Sequence, residues 1–416
     1  MTRAHTRHAL VAALALVGAA SLAAQTPTKP VSLPGTYDRG YLVFQSADSA
    51  FRYWLDGRLQ VDGAVYTNHD NKLANGTEVR RARFGVKSDL YRDWHAELDV
   101  DFTGNAIEMK DMWLGYQGFA NTLIKGGNFK EPFSLETLTS SKQITFMERS
   151  YADNFSPDRN IGLAVVRWGD NWQTTVGAFG QTAGSPDASA QSEGYGLTGR
   201  FTFAPLHDEE NVVHLGLAAS RRTPNAGLPA DADQMRFRAR PETYVSAARF
   251  LTTGKIKNVN YTTYYNGEMA LMHGPASFQA EYTGVGVHRL GTLPVAGFGG
   301  GYVFASYMLT GESKEYLVSE GEFDRVHPRS AGGAWEVAAR VSTMNLNDFD
   351  TGVGIAGGRA TNVTLGVNWY INTNFKWVLN VVRVLNDNNA KPDLGPGPFV
   401  TGDKFNIIQT RFALAF

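Results

Sequence analysis

The chain is predicted to be all-β, a transmembrane antiparallel β-barrel of about 16 strands. Three observations predict it. Extended segments with one apolar face recur along nearly the whole chain, an apolar leader opens it, and its last residue is a phenylalanine that closes one more such segment.

The leader comes first. Arg3, Arg7 and His8 precede the apolar run ALVAALALVGAA (9–20), and the small residues before Gln25 allow cleavage after Ala23 or Ala24, the pattern of a Sec signal peptide. A membrane-anchor helix needs about 20 apolar residues, and this run is shorter. Residues 1–24 are therefore expected to be removed on export, leaving 37 basic residues against 40 acidic. Residues 25–50 are expected to form a periplasmic lead-in, and 51–416 the barrel domain.

The strands follow. No later window reads as a transmembrane helix, and a period of two keeps returning. GYGLTGRFTF sets Tyr195, Leu197, Phe201 and Phe203 against Thr198, Arg200 and Thr202. AWEVAARVST sets Trp335, Val337, Ala339 and Val341 against Glu336, Ala338, Arg340 and Ser342. TNVTLGVNWYI places Val363, Leu365, Val367, Trp369 and Ile371 on one face, and the closing FNIIQTRFALAF does the same with Ile408, Thr410, Phe412, Leu414 and Phe416. A soluble β-sandwich also alternates, but it turns its apolar face inward and seldom aims so many aromatic residues one way. In a transmembrane barrel the apolar face meets lipid, because hydrocarbon admits only helices and closed sheets. About sixteen segments of roughly ten residues, long enough to cross when tilted, run from Phe51 to Phe416. The links 167–172 and 370–377 read as short periplasmic turns, and 129–159, 221–262 and 386–403 as long outer loops.

Composition bounds the function. The 416 residues are 43% hydrophobic and 12% aromatic, enough for two or three domains or one large all-β unit. With no cysteine there is no disulfide framework, thiolate metal site or cysteine nucleophile. A formal charge of -1 excludes a generally basic nucleic-acid binder, so any basic function sits in a local patch. The histidines are scattered without an HExxH spacing, and His214 and Ser220 lie about 20 Å apart along one strand, too far to act together. Neither catalytic residues nor a metal or cofactor is expected, and the chain is not read as an enzyme.

Seven segments carry a resemblance. GRLQVDG (57–63), EVRRARFG (78–85), YRDWHAELDVDF (91–102), SLETLTSSKQITFMERS (134–150), FAPLHDEENVVHLGL (203–217), GGAWEVAARVS (332–342) and LGVNWYIN (365–372) resemble the phosphate-selective porin O and P family, in the family's order. The resemblance implies a Gram-negative outer-membrane barrel of sixteen strands, usually a homotrimer, whose arginine-lined pore is narrowed by an inward-folded third loop. The terminal strand with Phe416 is similar to the signal that the barrel assembly machinery reads. Expected partners are inorganic phosphate or other small anions, that machinery, and outer-membrane lipid and lipopolysaccharide.

Candidate pore residues come from three clusters. In EVRRARFGVK, period two puts Arg81, Arg83 and Lys87 opposite Phe84 and Val86, with Arg80 at the strand's start free to bend either way. In MRFRAR, Arg236, Arg238 and Arg240 recur at i, i+2 and i+4, roughly 7 Å apart in an extended chain. Lys142 and Arg149 lie in the long loop after the fifth strand. A row of fixed cations replaces the hydration that an oxyanion sheds, arginine binds phosphate through two parallel N–H bonds, and several moderate sites let an ion both enter and leave. By resemblance, Arg80 and Arg81 match the family's anion-binding pair, Arg236, Arg238 and Arg240 its arginine ladder, Lys142 and Arg149 its constriction cations, and Asp111 an acidic lining residue. Two positions depart from the pattern: Arg83 stands for an aromatic residue and Thr137 for a lysine, which leaves the choice between phosphate and diphosphate open.

Blander roles compete. Glu97, Asp99 and Asp101 share a face with Arg81 and Arg83 and would stiffen the wall by pairing across strands. As the lesser reading, the ladder would bind anionic lipopolysaccharide from a surface loop, and Lys142 and Arg149 would brace Glu148 or Glu136. The expected function is passive diffusion of anions, phosphate first. A porin of the same fold for diphosphate or small organic solutes is the alternative, and a plugged barrel acting as enzyme or adhesin the remote one.

Overall fold

A computed structural model describes residues 35–38, 40–183, 193–224, 233–394 and 397–416; the expected signal peptide lies outside them. Alternation of apolar and polar side chains is what the backbone expresses as strands. The barrel strands are β1 (Phe51–Thr67), β2 (Gly76–Leu90), β3 (Trp94–Asp101), β4 (Glu108–Phe119), β5 (Thr122–Lys130), β6 (Arg159–Trp168), β7 (Trp172–Phe179) and β8 (Gly196–His207). They continue as β9 (Asn211–Arg222), β10 (Val259–His273), β11 (Ala276–Arg289), β12 (Ala296–Met308), β13 (Ala334–Asp348), β14 (Ile355–Tyr370), β15 (Phe375–Asn386) and β16 (Asn406–Ala415).

Each strand pairs antiparallel with the next, and β16 returns to β1 through Ile408↔Val65 and Phe412↔Val61, so the sheet closes without a free edge. Connections at one rim are short, including 169–171 and 371–374, where the sequence predicts turns. The opposite rim carries the long connections 131–158, 223–258 and 387–405, matching the expected outer loops. On the short-turn rim, the β12–β13 link is the exception: it holds a hairpin of Lys314–Leu317 and Glu322–Val326. Part of the lead-in is ordered as a hairpin, Gly35–Asp38 with Tyr41–Gln45, that adds to the start of β1.

The two faces of this sheet invert the pattern of a soluble core. Leu163, Leu217 and Leu365 point outward at 57%, 69% and 61% exposure, and their strand neighbours Ala164, Gly216 and Gly366 point in. On the inner side, Gln60, Arg81, Thr198, Arg200, Asn362 and Arg411 are all buried. An apolar band of this extent in water would be a large aggregation-prone patch, whereas in hydrocarbon it is the matched solvent. Among the described residues no helix is long and apolar enough to cross a membrane. Trp335 stacks on Trp369 near the short-turn rim at 5.2 Å between ring centroids, where interfacial aromatic side chains are favoured.

The terminal phenylalanine completes the closure. Gly57 N–H donates to the Phe416 carbonyl at 2.7 Å, and Phe416 N–H returns a bond to the Gly57 carbonyl at 3.0 Å. Glycine leaves room for the ring here, because a Cβ at residue 57 would stand 2.3 to 2.8 Å from three atoms of the Phe416 ring. Gly57→Val is therefore expected to push the ring off β1 and to lower stability by about 1–3 kcal/mol, the usual cost of overpacking. Urea unfolding followed by the heat-modifiable gel mobility of the folded barrel would measure it.

Candidate functional site

The site begins with an irregularity in β2. Gln60 of β1 pairs with Arg81, but Val61 pairs with Val79, so Arg80 is an extra residue in the strand. Such a β-bulge breaks strict alternation, and two consecutive arginines reach the same inner cluster. Arg80 grips Glu148 with two bonds, Nε at 2.8 Å and Nη2 at 3.0 Å, and its guanidinium lies 3.5 Å from the Tyr244 ring. Arg81 donates to Gln60 Oε1 at 2.7 Å and stands 3.7 Å from Glu148. Arg83, one step on, bonds Asp101 at 2.8 Å and lies 3.8 Å from Asp99. The wall-bracing role thus describes Arg83, while Arg81 is engaged by Gln60 and Glu148 instead.

The connection 131–158 supplies the next layer. It has one helical turn, Leu135–Leu138, and a 3-10 turn, Tyr151–Phe155. Its backbone N–H groups donate to side chains of the barrel wall: Glu136 to Glu281 at 2.7 Å, Met147 to Asn380 at 2.8 Å and Tyr151 to Ser342 at 2.9 Å. Phe133 packs on Tyr264, and Phe155 on Phe237, within the largest buried apolar cluster. Burial pushes the Glu148 carboxyl up, but Arg80, Arg81 and Arg411 together hold it well below the usual carboxylate range. Arg149 donates to the carbonyls of Glu136 and Thr139, at 2.6 and 2.7 Å.

These residues surround a cavity of about 370 Å³. Arg58, Arg80, Arg81, Arg83, Arg149, Arg159, Arg238, Arg240 and Arg249 line it with Lys110 and Lys130, eleven cations against the four carboxylates Glu148, Asp153, Asp158 and Glu242. Glu242 is further drawn away by Arg340 at 2.7 Å. Arg238, Arg240 and Arg249 have no carboxylate partner among the described residues. Burial, with Arg240 and Arg238 nearby, pushes the Arg249 guanidinium below its ordinary range.

Of the residues predicted from sequence, Arg80, Arg81, Arg83, Arg149, Arg238 and Arg240 come together here. Arg236 is exposed and outside the cavity lining. Asp111 is bound by Arg159 at 2.6 Å, so it holds a lining cation. Lys142 bonds Asp56 at 2.8 Å and faces a second cavity of about 630 Å³ with Lys87, Tyr41 and the acidic hairpin residues Glu320 and Glu322. Arg58 lines both cavities. Sequence reasoning missed Arg58, although it alternates with Leu59 and Val61 as clearly as Arg81 does with Ala82. It also missed Glu148 as a partner of three arginines, and Arg249, which no periodicity marks.

Comparison with known proteins is consistent from end to end. The family model of phosphate-selective porin O and P matches residues 54–416. Porin O of Pseudomonas aeruginosa is 28% identical, covering 96% of this chain and 99% of its own. An uncharacterized protein of Caulobacter vibrioides is 30% identical, covering 81% of this chain and 69% of its own. In fold, the chain is similar to an anion-selective porin from Comamonas acidovorans (TM-score 0.53, 12% identity, covering 88% of this chain and 100% of that one). It is likewise similar to the trimer form of OmpT of Vibrio cholerae (TM-score 0.52, 12% identity, covering 88% and 100%).

Paired and unpaired arginines should separate by stability. Arg200, outside the cavity, is fully buried with Glu268 at 2.7 Å, so Arg200→Ala leaves an uncompensated carboxylate and should cost about 3–5 kcal/mol. Exposed Arg238→Ala should change stability by no more than about 0.5 kcal/mol. Urea unfolding midpoints of the two variants in one lipid would test the contrast.

Proposed function

Since the chain belongs to the phosphate-selective porin O and P family and is an outer-membrane anion channel, we propose that its preferred solute is phosphate and that its path runs through the arginine-rich cavity. The observation that carries this reading is the excess of cations in that cavity, eleven against four, with Arg238, Arg240 and Arg249 lacking carboxylate partners among the described residues. On this reading the connection 131–158 folds into the barrel and narrows it; its bonds to Glu281, Asn380 and Ser342, on β11, β15 and β13, support that.

Passage then follows from charge and spacing. Arg236, Arg238 and Arg240 collect anions at the outer side, and Arg80, Arg81 and Arg149 take over as hydration is shed. Arg58, common to both cavities, passes the ion toward Lys87 and Lys142. No single site holds a full complement of free guanidiniums, since Arg83 is engaged by Asp101 and Arg80 by Glu148. Moderate sites in series allow exit as well as entry. Such a device is a channel rather than an enzyme. Assembly as a homotrimer, export through cleavage of residues 1–24, and recognition of the Phe416 strand by the barrel assembly machinery belong to the same proposal; the trimer form of the OmpT neighbour supports the first.

Planar-bilayer recording of the refolded protein would decide it. A KCl gradient should give a reversal potential favouring chloride, millimolar phosphate should block that current, and Arg81→Ala or Arg238→Ala should weaken the block about tenfold, the effect of losing one charge-assisted contact of roughly 1.4 kcal/mol. A cation-selective or phosphate-indifferent pore would sink the substrate assignment. A pH effect is expected too. Burial pushes the Lys142 ammonium down to about 8, with Asp56 pulling the other way. That cation is present below pH 8 and lost above it, so anion conductance should fall between pH 7 and 9, and Lys142→Arg should remove the dependence.

A further inference from the structure

Glu148 occupies an unusual position for a carboxylate in an anion path. It lines the arginine-rich cavity, yet it receives two bonds from Arg80, one from Arg411 at 2.5 Å, and lies 3.7 Å from Arg81. Three guanidiniums converge on its two oxygens, the same bidentate and charge-assisted geometry by which arginines bind a phosphate. Its backbone is held as well, because Arg340 donates to the Glu148 carbonyl at 3.0 Å. The side chain is thus delivered to the cluster by a fixed loop, and it is only 5% exposed.

We propose that Glu148 is a tethered competitor: its carboxylate stands in the place of the permeating oxyanion among Arg80, Arg81 and Arg411, and so sets how tightly the channel binds phosphate. The proposal rests on the reading of the cavity as the anion path. Two consequences follow from the charges. In the empty channel, Glu148 neutralises guanidiniums that would otherwise repel one another in a confined space. When an oxyanion arrives, it must share or take over the arms of Arg80 and Arg81 while Arg411 retains Asp62, to which it is bonded twice at 2.7 Å. Affinity is lowered by that competition, and the ion leaves again.

The experiment is phosphate block of chloride current in single channels of the wild-type chain, Glu148→Gln and Glu148→Asp, each first checked for the heat-modifiable mobility of a folded barrel. Glutamine keeps the shape and removes the charge, so the half-blocking phosphate concentration should fall about tenfold or more, with chloride selectivity kept. Aspartate keeps the charge but is one methylene shorter and releases the two-bond grip of Arg80, so its value should lie between the other two. A carboxylate that only held the loop in place would, when removed, weaken the block and the selectivity together; that result, or equal block in all three proteins, overturns the proposal. Should Glu148→Gln fail to form a barrel, the aspartate variant decides, and an unchanged half-blocking concentration there is again the overturning result. A wild-type channel that is cation-selective or indifferent to phosphate would instead remove the reading of the cavity, and this inference with it.

Discussion

Everything in this molecule follows from the return of β16 to β1. Hydrocarbon offers no partner to a peptide N–H or carbonyl, so a sheet that crosses it must bond its first strand to its last. The pairing from Asn406↔Thr67 to Ala415↔Arg58 does this, and the exchange between Gly57 and Phe416 finishes it at the short-turn rim. Once the sheet is closed, each strand has one side in lipid and one side sealed from it. The alternation seen along β8, β13 and β14 is the chemical record of that division.

Sealing the inner side creates the second problem. Arg200, Arg340 and Arg411 are buried, and burying a cation is costly unless it is paired and hydrogen-bonded. Each has its acid: Glu268 for Arg200, Glu136 and Glu242 for Arg340, Asp62 and Glu148 for Arg411. Two of these pairs, Glu136 with Arg340 and Glu148 with Arg411, also tie the connection 131–158 to strands far from its own, so one set of charges supports both the loop's position and the wall. Arg238, Arg240 and Arg249 are arranged differently, on the long connection between β9 and β10 and without carboxylates of their own among the described residues. The contrast separates arginines paired with carboxylates that hold the fold from arginines that line the cavity without one.

Much of this was legible in the chain. Strand faces, the two kinds of connection and the closing phenylalanine all follow from a period of two, and the structure reproduces them at the predicted segments. So does the common inner side of Arg81 and Arg83. Arg58 was legible by the same rule and was passed over. Arg80 was marked as able to bend either way and by the family resemblance, but the bulge that turns it inward was not legible, because alternation carries no sign of where one residue is inserted. The pairing of Lys142 with Asp56, and of Asp111 with Arg159, joins residues 86 and 48 positions apart, beyond any local pattern.

The division has a physical origin. Which side of a strand meets lipid is a local property, written in the alternation of side chains, and the family resemblance added the order of the segments and the kind of solute. Which cations remain without a partner is not local. It depends on how closure brings Glu148 of one loop against Arg80 and Arg81 of β2 and Arg411 of β16, and ion pairing falls off so steeply with distance that only the assembled barrel decides it.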